Sequence, residues 1–143
     1  MTVSAEIRAL REALVLEHIG AENAKDTERA MQTFTRPKYD LRAVDGEVIE
    51  GEDGVRDLID AMRVTTPGVT YIADKIHHTD DAVIVEYRIT GRHEGIYRGI
   101  GPTGAELNYP ALAIFEFDGT DLVGERPYLN VQGLEAQMRG SGA

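Results

Sequence analysis

The sequence predicts an α+β domain in which helices are followed by an antiparallel sheet, and three observations carry that expectation. Helical periodicity is concentrated in the first half of the chain, within residues 4–18, 26–34 and 53–62. Period-2 alternation dominates the second half: Val83, Val85, Tyr87, Ile89, Gly91 and His93 share one strand face, and Leu107, Tyr109, Ala111, Ala113, Phe115 and Phe117 share another. Glycine and proline then reverse the chain, at Gly99-Ile100-Gly101-Pro102-Thr103-Gly104 and again at Asp118-Gly119, so the alternating runs return on one another.

Taken in order, Ser4 is an N-cap for a helix in which Ile7, Leu10, Leu14 and His18 recur at helical spacing and face the sheet. His18 is thus a ligand-pocket residue or an ordinary core histidine. Asp26 caps a second, short helix through Ala30, Met31 and Phe34 that ends before Arg36-Pro37. Tyr39 to Ala43 and Glu47 to Glu50 pair across Asp45-Gly46. Asp53 begins a third helix with the stripe Val55, Leu58, Ile59 and Met62, stopped by Thr65-Thr66-Pro67-Gly68. Val69 to Thr79 turns at Asp80-Asp81 into the strand containing Val83, and Leu122 to Asn130 returns beside the Phe115 strand. A short C-terminal helix carries Leu134 and Met138. One domain is expected over residues 1–139, with a disordered tail at 140–143.

Composition narrows the function classes. A chain of 143 residues with 42% hydrophobic and 6% aromatic side chains builds one aliphatic core. Its 15 basic and 25 acidic residues give a net charge of −10, which disfavours nucleic acid and anionic membrane surfaces as partners. No apolar run reaches the ~20 residues that span a bilayer. The start Met1-Thr2-Val3-Ser4-Ala5-Glu6 has no basic region leading into an apolar one, so a cytoplasmic protein is expected. Without cysteine there is no thiolate nucleophile, and His77-His78 point to opposite strand faces, so no metal site is expected. Gly99 to Gly104 has neither a following helix nor an internal lysine, which excludes a phosphate-binding loop.

The segment Gly91-Arg92-His93-Glu94-Gly95, the Pro102-Thr103-Gly104 turn and the tail from Gln132-Gly133-Leu134 to Gln137 together resemble SnoaL-like polyketide cyclases of the nuclear transport factor 2-like superfamily. The resemblance is best from Gly91 to Gly140. It implies a curled antiparallel sheet wrapped around the helices, a cystatin-like cone enclosing a pocket for a small hydrophobic molecule. It further implies a homodimer through the outer surface of the sheet, where Leu112 and Ile114 make the strand apolar on its second face. For the chemistry, the resemblance implies an aspartate near the end of the last strand, acting as acid/base in ring closure by aldol addition. Aligning Gln132-Gly133 with the family's tail puts Pro127 at that position, and a proline has no proton acceptor to offer.

Alternation supplies a replacement, because Val123, Glu125, Pro127 and Leu129 share one strand face. Glu125 is then a partly desolvated general acid or base, or else a rim carboxylate paired with Arg126 or Arg98. His93, flanked by glycines, either polarises a carbonyl or hydrogen-bonds the Pro102-Thr103-Gly104 turn. His18, Tyr39, Tyr87, Tyr109, Pro127 and Tyr128 complete the set expected around a ligand. The sequence therefore reads as a cofactor-independent cyclase, isomerase or hydrolase acting on a small oxygenated hydrophobic molecule through Glu125 and His93. The alternative is a non-catalytic small-molecule binding protein, favoured by the loss of the aspartate at Pro127.

Overall fold

The computed structural model describes residues 3–140. Helix α1 (Ala5–Asn23) starts at the expected cap, with the Ile7 N–H donating to Ser4 Oγ at 3.2 Å. Helix α2 (Thr27–Gln32) is capped by Asp26, whose carboxylate accepts from the Arg29 N–H at 3.1 Å. Strands β1 (Lys38–Leu41) and β2 (Glu47–Glu50) form the small hairpin, and helix α3 (Glu52–Thr65) follows Gly51. Strands β3 (Thr70–His78), β4 (Ala82–Arg92), β5 (Glu106–Asp118) and β6 (Asp121–Leu129) then meander into helix α4 (Val131–Arg139).

The strands make one six-stranded sheet in the order β2-β1-β6-β5-β4-β3. Every neighbouring pair is antiparallel except β1 and β6, which run parallel with Tyr39 beside Glu125. This junction departs from the wholly antiparallel sheet expected, because turn residues report only the pairings they directly connect. Register shifts between Ala73 and Lys75 and between Glu116 and Phe117 bend the strands, as bulges do. Helix α1 packs across the sheet, touching β3, β4 and β6.

The buried face of α1 is rotated from the predicted stripe. Arg11, Val15, His18, Ile19 and Glu22 face inward, whereas Leu10 is 60% exposed. The reason is Arg11, whose guanidinium donates to Gly119 O at 2.7 Å and Asp80 O at 2.9 Å while lying over the Phe117 ring. Two hairpin turns thus supply the acceptors that let a cation take an inward position. The main core joins α1 and α3 to the sheet through Val15, Ile19, Val55, Ile59, Val83, Val85, Phe115 and Leu122. A second cluster of Ile100, Leu107, Leu134 and Met138 seats α4. Of the tail expected at 140–143, Gly140 closes α4 in the left-handed conformation at φ 76°, and residues 141–143 lie outside the described residues.

Candidate active site

Between the two clusters lies a cavity of about 300 Å³, at the lower end of the range for small-molecule sites. Its walls are largely aliphatic and aromatic, from Leu58 and Met62 of α3, Tyr71 and Tyr87 of β3 and β4, Tyr109 and Ala113 of β5, and Leu134 and Met138 of α4. Glu22, Tyr39 and Glu125 line the cavity where α1, β1 and β6 meet, and Asp45, Thr65 and Thr66 are its other polar lining residues besides the tyrosines. His18, one helical turn before Glu22, stands directly behind them and is fully buried.

The polar atoms form a connected set. Thr33, the residue that ends α2, donates its hydroxyl proton to Ala30 O at 2.6 Å, and Thr33 Oγ1 lies 2.8 Å from His18 Nδ1. On the other side of the ring, His18 Nε2 is 3.2 Å from the Tyr39 hydroxyl, which donates to Glu22 Oε1 at 3.2 Å. The same nitrogen is 3.7 Å from Glu22 Oε1 and 3.2 Å from Glu125 Oε1. The Glu125 contact lacks the alignment of a hydrogen bond, so Oε1 is a buried acceptor without an aligned donor among the described residues. Glu125 itself is 8% exposed.

Electrostatics separates these groups. Burial works against the His18 proton, but the charge of Glu22 and the close contact with the Glu125 carboxylate outweigh it, and the pKa rises above its ordinary 6.5. Burial raises Glu22 from its ordinary 4.5, reinforced by the nearby Glu125 charge and opposed by His18 and the Tyr39 hydrogen bond. Tyr39 is pushed well above 10 by burial and by both carboxylates, which keeps its hydroxyl a donor across the physiological range. The arrangement can hold an imidazolium behind two carboxyl groups and a phenol at one end of a largely apolar cavity.

Of the residues singled out in the sequence, the structure gathers Glu125, Tyr39, Tyr87, Tyr109 and Pro127 around the cavity and puts His18 behind them. His93 and Tyr128 are not among its lining residues. His93 is fully buried, and its Nδ1 is 2.9 Å from Thr103 Oγ1, whose hydroxyl donates to Met138 O at 2.5 Å, so it ties the Pro102-Thr103 turn to α4. The expected pairing of His93 with Glu125 is therefore not formed. Tyr128 alternates to the outer face of β6 and is 41% exposed. The rim pairing for Glu125 is absent as well, since Arg126 binds Glu116 at 2.8 Å and Arg98 lies 3.5 Å from Glu135. Sequence reasoning missed Glu22 and Thr33. Glu22 had a signal in its i+4 spacing from His18, whereas Thr33 had none, because its role depends on how α2 docks. Among the described residues no group of three or more His, Cys, Asp or Glu side chains could hold a metal ion. No helix among them is long and apolar enough to cross a membrane.

The profile of the SnoaL-like domain family matches residues 15–124. No curated protein matches the chain. Among solved structures, a candidate polyketide cyclase from Xanthomonas campestris pv. campestris aligns with a TM-score of 0.84 at 19% identity, covering 92% of this chain and 98% of its own. AclR, a candidate hydroxylase from Streptomyces galilaeus, aligns at 0.77 and 19% identity, covering 92% and 97%. A protein of ketosteroid isomerase-like fold from Catenulispora acidiphila, solved with trimethylamine, aligns at 0.73 and 16% identity, covering 88% and 92%. At these identities the likeness is one of fold.

Proposed function

This chain belongs to the SnoaL-like domain family, and we propose that it is a cofactor-independent acid/base enzyme for a small oxygenated hydrophobic molecule, with Glu125 as the general base. The observation that carries this reading is the Glu125 carboxylate, which lines a largely apolar cavity and is held from behind by His18, whose Nε2 is 3.2 Å from Oε1. A base needs a lone pair where the substrate proton will be and a neighbour that fixes its orientation. The resemblance puts the family's aspartate at Pro127, and Glu125 lies one pleat away along β6, lining the same cavity.

The substrate class that fits is an enolisable carbonyl compound. The Glu125 carboxylate takes the proton from the carbon next to the carbonyl, and the C–H electron pair moves into the new C=C bond as the carbonyl oxygen takes on charge. The Tyr39 hydroxyl, whose pKa burial holds well above its ordinary value, is the donor available to that oxygen. The enol is the common intermediate of isomerisation and of aldol ring closure. His93 has no part in this scheme, because it is not among the residues that line the cavity and its Nδ1 is held by Thr103.

Deuterium exchange tests the reading without knowledge of the natural substrate. A panel of small hydrophobic ketones and 1,3-diketones is incubated with the protein in D2O, and exchange at the α-carbon is followed by NMR. Wild type should accelerate exchange of at least one member, and Glu125→Gln should lose about 10²- to 10⁴-fold of that acceleration. Compounds that bind without exchanging would favour the second reading, a non-catalytic binding protein. The proline at position 127 supports that reading, as does the small amine held by the Catenulispora relative.

The same family reading carries a homodimer through the outer face of the sheet. Leu112 and Tyr128 are cross-strand partners there, next to Glu86 and Pro110 around a shallow depression. Light scattering at micromolar concentration should give twice the chain mass of 15.7 kDa, and a monomer mass would remove this part of the proposal.

A further inference from the structure

His18 is useful to the cavity only if its Nε2 side carries the exchangeable proton and its Nδ1 proton stays in place. An imidazole in a neutral protein interior has two tautomers, and the hydrogen bond at one nitrogen decides which is present. At Nδ1 the partner is Thr33 Oγ1, at 2.8 Å. A threonine hydroxyl has one proton, and that proton is directed to Ala30 O at 2.6 Å. Thr33 Oγ1 can then only accept, so Nδ1 must donate. Both residues are buried, Thr33 at 5% exposure, so water does not compete for either atom.

We infer that Thr33 is a positioning residue: by spending its own proton on Ala30 O, it locks the His18 proton on Nδ1 and turns Nε2 toward Tyr39, Glu22 and Glu125. The inference deepens the acid/base reading of the same cluster and rests on it for its use in turnover, although the tautomer itself does not depend on catalysis. Four elements bring polar groups to the ring. They contribute Glu22 from α1, Thr33 from the end of α2, Tyr39 from β1 and Glu125 from β6. Phe34 and Phe115 pack edge-on at ring-centroid distances of 5.2 and 5.7 Å and bring no proton. With Nδ1–H fixed, the cationic ring presents an N–H at Nε2 to Tyr39 and the carboxylates, and the neutral ring presents a lone pair there, which the Tyr39 hydroxyl meets by turning its single proton from Glu22 Oε1 to Nε2. Proton gain and loss therefore occur on the side of the cavity, where Tyr39 connects Nε2 to Glu22. If the tautomer were reversed, the exchangeable site would face Thr33 and the carboxylates would see a fixed N–H.

His93 provides an internal comparison. Its Nδ1 faces Thr103 Oγ1, and that hydroxyl donates to Met138 O, the same one-proton logic at a histidine that is not among the residues lining the cavity. It should show the same tautomer and should not respond to changes at Thr33.

The test is NMR of ring-¹⁵N-histidine-labelled protein, titrated through the His18 midpoint, for wild type, Thr33→Ser and Thr33→Val. Wild type and Thr33→Ser should show neutral His18 protonated at Nδ1. Thr33→Val, which keeps the shape and removes the acceptor, should move the proton of the neutral ring to Nε2 and lower the titration midpoint, with His93 unchanged. In the exchange assay it should reduce kcat on the order of tenfold with KM held, and serine should restore it. A wild-type neutral ring protonated at Nε2 would overturn the inference, and this result needs no variant to fold. So would a folded Thr33→Val protein whose His18 keeps the wild-type tautomer and midpoint. Because the tautomer is read without substrate, its failure leaves Glu125 as base untouched, and failure of the exchange panel leaves the tautomer result in place.

Discussion

At the scale of single residues, the cavity floor depends on one cation held between two carboxylates. Removing one partner of a buried charge cluster leaves the others uncompensated, which typically costs about 3–5 kcal/mol. His18→Leu should therefore destabilise the protein by about that amount near neutral pH, measured by urea unfolding. The loss should shrink at acid pH, where Glu22, whose pKa is raised, takes up its proton and no longer needs the cation. A variant as stable as wild type at pH 7 would mean that His18 does not compensate the carboxylates around it. His93 makes the opposite case. A Cβ built on Gly101, at φ 74°, would sit 2.4 Å from His93 Cε1 and 2.7 Å from the Thr103 backbone nitrogen. Gly101→Ala should cost about 1–3 kcal/mol with little effect on exchange per folded molecule. The sequence left both roles of His93 open because a histidine between glycines has the same pattern whether it meets a substrate or a turn. Only the position of the Pro102-Thr103-Gly104 turn distinguishes them.

At the scale of elements, the caps and turns were legible because their chemistry is local. Ser4, Asp26, Asp118-Gly119 and the stop after Thr65 all fall where the structure has element ends. The rotation of α1 was not legible, since Leu10 and Leu14 make as good a stripe as Val15 and Ile19 until the two hairpin carbonyls that satisfy Arg11 are known. The parallel contact of β1 with β6 was hidden for the same reason, and it is this contact that sets Tyr39 beside Glu125. Helix α4 gives an element-scale prediction. Its N-cap is Asn130, whose side chain accepts from the Gly133 N–H at 3.0 Å, and its inward face brings Leu134 and Met138 to the cavity. Asn130→Ala should cost about 0.5–2 kcal/mol. Because α4 is seated by the small second cluster, amide exchange should speed up from Leu134 to Met138 before it does in β4 and β5. Uniform acceleration across the sheet would show that α4 does not open separately.

For the whole molecule, the carboxylates and His18 set how stability varies with pH, and the sign follows from which state binds more protons. Asp40 is held at about 2, against its ordinary 3.8, chiefly by its hydrogen bonds with Arg42. Between those values the unfolded chain binds more protons, so the contribution of Asp40 is present above 3.8 and lost as pH falls through about 2. His18 and Glu22 act in the other direction. Their pKa values are raised in the folded state, so the folded protein binds more protons above the ordinary values of 4.5 for Glu22 and 6.5 for His18. Stability from His18 is complete below 6.5 and is lost as pH rises through its folded midpoint; Glu22 adds a decline of the same sign beginning near 4.5. The net charge of −10 adds self-repulsion that also grows as carboxyls ionise. The urea midpoint should therefore peak on the acid side of neutrality and fall from pH 6.5 into the alkaline range. In His18→Leu the curve should lose the part of that fall above 6.5, while the acid limb governed by Asp40 stays where it is. A wild-type midpoint that is flat or rising from about pH 6 to about pH 9 would mean that His18 is not the cation holding Glu22 and Glu125 together.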